Sequence, residues 1–99
     1  MHKISVLIAA GALSMLPFAV HADDAKATAT LKKEGCVKCH SVSAEKGGPS
    51  FKSVAAKYKG NAEGEAKVIQ QFTAGANHAH VKTKDDAEIK NLAKYILSR

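Results

Sequence analysis

Between Asp24 and Arg99 the apolar positions recur at intervals of three and four residues, separated by polar and glycine-bearing stretches. That period lays side chains along one face of an α-helix, and it predicts four helical segments. The first runs from about Asp24 to Glu34, rich in Ala and Lys, with Asp23 or Asp24 placed to cap it. The second follows Gly47-Gly48-Pro49, with Ser50 at the N-cap. Phe51, Val54, Ala55 and Tyr58 fall at i, i+3, i+4 and i+7, and Gly60 ends it. The third spans about Ala62 to Ala74, with Val68, Ile69 and Phe72 inward and Gly75 as terminator. The fourth opens near Thr83-Lys84-Asp85-Asp86, where Thr83 can cap and the acids suit the positive end of the helix. Ile89, Leu92, Ala93 and Ile96 make its buried stripe. No alternating run and no Asn-Gly or Asp-Gly turn signals a strand, so the pattern predicts an all-α domain.

The start of the chain follows another rule. Met1-His2-Lys3 is a short basic start, and Ile4 to Val20 is apolar apart from Ser5 and Ser14. Val20-His21-Ala22 then offers tolerated residues at the −3 and −1 positions, ahead of Asp23-Asp24. The order predicts a signal peptide over residues 1–22, removed on export, and a mature domain over 23–99. A retained anchor is the alternative, but a spanning helix wants about 20 apolar residues and this run is shorter. After cleavage the expectation is a protein that does not span the membrane.

Composition sharpens this picture in two ways. A mature chain so short buries little surface and calls for a staple such as a disulfide, a metal or a cofactor. Without Lys3, fourteen basic residues stand against nine acidic ones, a charge of +5, which favours acidic partners or anionic surfaces. No recognisable motif points to nucleic acid.

The staple is written in Cys36-Val37-Lys38-Cys39-His40, the C-x-x-C-H signature of c-type haem attachment. Two thiols three positions apart on a tight turn can add to the two vinyl groups on one porphyrin edge. The next residue, His40, then projects its imidazole to the iron. Three other readings of the same residues fit less well. A disulfide oxidoreductase uses C-x-x-C in a βαβ setting, and no strand is expected here. A zinc site would need two more histidines, yet His78 and His80 are one residue apart rather than three to five. A plain disulfide leaves His40 unexplained.

On these residues the chain resembles the class I c-type cytochromes of small bacterial monohaem type. The likeness rests on Gly35 to His40, on Gly48-Pro49-Ser50-Phe51 through Tyr58, and on Asp86-Ala87-Glu88-Ile89 with Leu92 to Ser98. It implies about four helices wrapped around one covalent haem c, and a Gly/aromatic crossing of the terminal helices at Gly35 and Tyr95. It also implies that the Pro49 carbonyl accepts a hydrogen bond from the His40 ring, which fixes the ring's tautomer.

One departure stands out. The family's usual distal ligand is a methionine, and the two methionines, Met1 and Met15, both lie in the leader. The place where it would fall reads Asn77-His78-Ala79-His80. Resemblance to members with His-Pro-x-Val-Lys favours His78 as distal ligand; His80 is the alternative, with Asn77, water or an open iron behind it.

Ligation by two histidines implies a single-electron carrier of lower potential than a methionine-ligated relative, and not an enzyme. Its expected partners are redox proteins with acidic docking surfaces, multihaem cytochromes or membrane-bound oxidoreductases among them. Lys38, Lys46, Lys52, Lys57, Lys82 and Lys84 either steer such partners or form a generally solvated basic face. A five-coordinate haem protein that binds a small ligand or reduces peroxide is the second hypothesis. An electron-donating subunit of a larger dehydrogenase is the third.

Overall fold

The computed structural model describes residues 22–99; residues 1–21 of the expected leader lie outside the described part. The elements are α1 (Asp24–Lys33), a single 3₁₀ turn over Cys36–Lys38, α2 (Phe51–Lys57), α3 (Gly64–Ala74) and α4 (Asp86–Leu97). Among the described residues there is no strand, and no helix is long and apolar enough to cross a membrane.

Local chemistry sets the boundaries. Asp23 caps α1 by accepting the Lys26 N–H at 3.1 Å, and Ser50 caps α2 by accepting the Ser53 N–H at 3.0 Å. The third helix begins two residues later than its periodicity suggests. Asn61 Oδ1 captures the Glu63 N–H at 2.8 Å, an Asx turn that holds this stretch out of the helix until Gly64.

The cap of α4 is also corrected. Asp85, not Thr83, accepts the first N–H groups, from Ala87 at 2.9 Å and Glu88 at 3.4 Å. The Thr83 hydroxyl is instead used one step earlier, accepting the Asp85 N–H at 3.1 Å. A carboxylate at the cap suits the positive helix end better than a hydroxyl does.

The fourth helix is the hub and packs on each of the other three. Its Leu92, Ala93, Tyr95 and Ile96 are buried against Ala27 and Leu31 of α1, Phe51 of α2 and Val68 and Phe72 of α3. Ile89 and Ile69 reach the same core but stay partly exposed. The expected crossing at Gly35 takes a different form. Tyr95 meets Phe51 edge-on, with ring centroids 6.3 Å apart, and Arg99 covers its face at 4.0 Å. A Cβ on Gly35 would come within 4 Å of Lys38 alone; glycine is required there by the backbone, which turns at φ +77°.

Polar stitches fasten the start of α1 to α4. The Asn91 amide donates to Asp23 O at 3.0 Å and accepts the Asp23 N–H at 2.7 Å, and Arg99 lies 3.4 Å from Asp24.

Candidate functional site

The attachment motif sits on the tight turn that follows Gly35. Cys39 N–H and His40 N–H both donate to Cys36 O, at 3.2 and 3.0 Å, so Cys36, Cys39 and His40 are wound around one carbonyl. Cys36 is half-buried and Cys39 exposed, and the two are not joined in a disulfide. Burial first, and then the negative charge of Glu34, push the Cys36 thiol up.

The loop 41–50 is knitted to this turn at several points. Gly48 N–H donates to Cys39 O at 2.7 Å, Phe51 N–H to Ser41 O at 2.9 Å and Lys52 N–H to Val42 O at 2.9 Å. The outcome is that Pro49 O receives the Nδ1–H of His40 at 2.7 Å. Phe51 lies against the same imidazole, with centroids 5.6 Å apart. Gly48 passes so close beneath the ring that a Cβ would collide with its Cε1 atom and lie 2.9 Å from Nδ1.

The distal loop after Gly75 is held by other means. Asn77 adopts φ +59°, a left-handed conformation that asparagine tolerates better than most residues. This turn brings His78 in front of His40, with ring centroids 5.9 Å apart and planes inclined by 28°. The Nδ1–H of His78 donates to Ala79 O at 2.6 Å, leaving its Nε2 with a free lone pair. His80 is placed otherwise: its Nε2 is hydrogen-bonded to Gly75 O at 2.8 Å. The two candidate histidines are thereby separated, one facing His40 and the other closing its own loop. Among the described residues no group of three or more His, Cys, Asp and Glu side chains gathers as a metal site, so the four-ligand zinc arrangement is not formed.

Two carboxylates went unnoticed in the sequence. Glu45 accepts the Ser53 hydroxyl at 2.7 Å and the Ser50 N–H at 3.2 Å, tying the loop that bears Pro49 to the start of α2. Those bonds hold its carboxyl below the ordinary glutamate range. Glu34 accepts the backbone N–H groups of Lys82 and Thr83, at 2.8 and 3.1 Å, from the far side of the sequence. A signal for Glu34 did exist. An acid in the C-cap of a helix opposes the helix dipole and asks for a compensating partner.

A helical fold and a C-x-x-C-H turn under a facing imidazole define a class of small haem-bearing proteins, and comparison with known proteins agrees. The sequence model for the family described as Cytochrome c matches residues 25–99. The chain belongs to the cytochrome c family, whose members carry one covalent haem c at this motif. It is 35% identical over 74 residues to cytochrome c-551 of Pseudomonas aeruginosa, spanning 69% of this chain and 71% of that protein. It is 38% identical over 76 residues to cytochrome c-551 of Allochromatium vinosum, spanning 67% and 78%. Among solved structures it resembles the class 1 cytochrome MtoD from Sideroxydans lithotrophicus ES-1. That match has a TM-score of 0.64 and 38% identity, and covers 78% of this chain and 96% of that one. The chain is thus an all-α class I cytochrome c, and the family supports a haem-based electron carrier.

Proposed function

We propose that this cytochrome is an exported, periplasmic electron carrier whose iron is held between His40 and His78, with thioether links at Cys36 and Cys39. The single observation that carries this reading is the separation of the two imidazoles. A ring bound through one nitrogen at about 2 Å has its centroid about 3 Å from the metal, so two on opposite faces stand roughly 6 Å apart. The observed 5.9 Å fits that requirement. Both rings use Nδ1 as a donor to a carbonyl, so in the neutral imidazole Nε2 is the nitrogen that carries the lone pair.

When bound, the haem supplies a one-electron ferric/ferrous couple. His40 and His78 would hold the iron through imidazole nitrogen, which would favour the ferric state relative to a thioether and disfavour binding of oxygen or peroxide. His40, steered by Pro49, is the fixed side; His78, on the loop, is the closing side. Lys38 stands within the attachment turn, Lys46 reaches it by donating to Val37 O at 3.1 Å, and Lys82 lies on the loop segment that Glu34 holds. This cluster of positive charge by the motif suits weak, salt-sensitive docking to acidic redox partners.

Electron paramagnetic resonance on the ferric protein tests the assignment, beside the spectra of His78→Met and His80→Met. The expected result is a low-spin bis-imidazole signal that disappears in the His78 variant and persists in the His80 variant. A high-spin signal in the unmutated protein, with carbon monoxide binding rapidly after reduction, would instead make the five-coordinate reading the correct one.

A further inference from the structure

We propose that Glu34 is a positioning residue, a latch that holds the distal loop closed over the haem face; the part played by His78 rests on the reading above. Glu34 ends α1 two residues before Cys36, so its backbone is fixed to the turn that carries the haem attachment. Its two carboxylate oxygens are taken by two consecutive amides, Lys82 N–H at 2.8 Å and Thr83 N–H at 3.1 Å, across 48 and 49 residues of sequence. Those amides follow His78 by four and five positions.

The other restraints on the loop come from its own side of the molecule. Val81 N–H donates to Phe72 O at 3.0 Å, and His80 bonds Gly75 O at 2.8 Å; both bonds tie the loop to the end of α3. Among the hydrogen bonds of the described residues, those of Glu34 alone join the loop to the segment bearing the C-x-x-C-H motif. Two donors in a row demand an acceptor with two oxygens in one plane, which a carboxylate provides and a carboxamide does not.

Nor is Glu34 where helix preference would put an acid. It stands at the negative end of α1, and neither Lys32 nor Lys33 offers it an ion pair; Lys33 is bonded to Glu88 at 2.9 Å. At an unfavourable helix position and with a well-matched pair of distant donors, Glu34 serves the loop contact rather than the helix.

The test uses the haem-loaded protein and three variants. Glu34→Gln removes one acceptor, Glu34→Asp keeps the charge but shortens the reach, and Glu65→Gln is the control. Glu65 pairs with Lys94 at 2.7 Å, away from the loop. Amide hydrogen exchange at Lys82 and Thr83 is read first. Loss of a charge-assisted bond predicts about tenfold faster exchange or more in Glu34→Gln, with Glu34→Asp intermediate and the control unchanged. Carbon monoxide binding to the reduced protein is read second, and is expected to speed up in the same order as the loop releases His78. Unchanged exchange in both Glu34 variants would overturn the latch. Absence of a bis-imidazole signal in the unmutated protein would instead remove His78 from the iron, while the exchange rates would still decide whether Glu34 holds the loop.

Discussion

The two loops that face each other across the site, 41–50 and 75–85, differ in the reach of the bonds that hold them. The proximal loop is fastened by its neighbours: Cys39, Ser41 and Val42 accept from residues within ten positions, and Glu45 reaches only to Ser50 and Ser53. The distal loop has local bonds as well, Val81 N–H to Phe72 O and His80 to Gly75 O, but it adds two long-range ones, from Lys82 and Thr83 to Glu34. Local bonds cost little chain entropy to close and form whenever the segment folds; distant ones depend on the whole domain being assembled. Under the proposed ligation, the difference predicts that His40 is the more firmly held side and that the site opens from the other. Local opening of this kind takes place where cross-links are few.

The largest blow to the contrast is on the proximal side, at Gly48. Alanine there must displace the His40 ring or the backbone beneath it, since the added carbon would lie within 3.0 Å of three ring atoms. Overpacking of this type costs about 1–3 kcal/mol. Gly48→Ala is therefore expected to lower the denaturation midpoint and to disturb the low-spin spectrum as well; a spectrum and midpoint equal to the parent's would show that the proximal loop gives way easily.

A smaller effect is expected from Asn77. A β-branched residue at φ +59° meets a penalty of about 1–2 kcal/mol, whereas glycine meets none. Asn77→Val should thus destabilise the protein and loosen the distal loop, and Asn77→Gly should leave stability near the parent's. Chemical denaturation of the pair checks this, and equal stabilities would remove backbone strain as the reason for asparagine.

The smallest effect concerns acid. Hydrogen bonds from Ser53 and Ser50 depress the Glu45 carboxyl in the folded state, so its contribution is present above the ordinary glutamate value, about 4.3, and is lost as pH falls through the lower folded one. Stability measured against pH should fall more steeply below about pH 4 in the parent than in Glu45→Gln. Parallel curves would mean that Glu45 is not a proximal restraint.

These loops also differ in how far they could be read from residue types. Cys36, Cys39 and His40 belong to a fixed local spacing, Ser50 to a cap and Phe51 to a helical face, so the proximal half and the all-α fold were legible. The choice of His78 over His80 needed the resemblance, because two histidines one residue apart differ only once the loop's path is known. Asn77 decides that path through a positive φ, and Glu34 through bonds across half the chain. Neither leaves a periodic trace. Thr83 shows the limit of cap rules: two candidates two positions apart can each find a donor, and the better acceptor, Asp85, starts the helix.

The stitching of Asp23 to Asn91 and of Arg99 to Asp24 puts the beginning of α1 beside the end of α4. Domains whose first and last helices adjoin in this way accept circular permutation at exposed turns. Gly60 offers such a turn, with φ +78° and open space around it. A chain opened there and rejoined from Arg99 to Asp23 by a short linker would synthesise the distal loop before the attachment motif. The order in which the two sides of the haem cleft are made is therefore a variable separable from the fold itself.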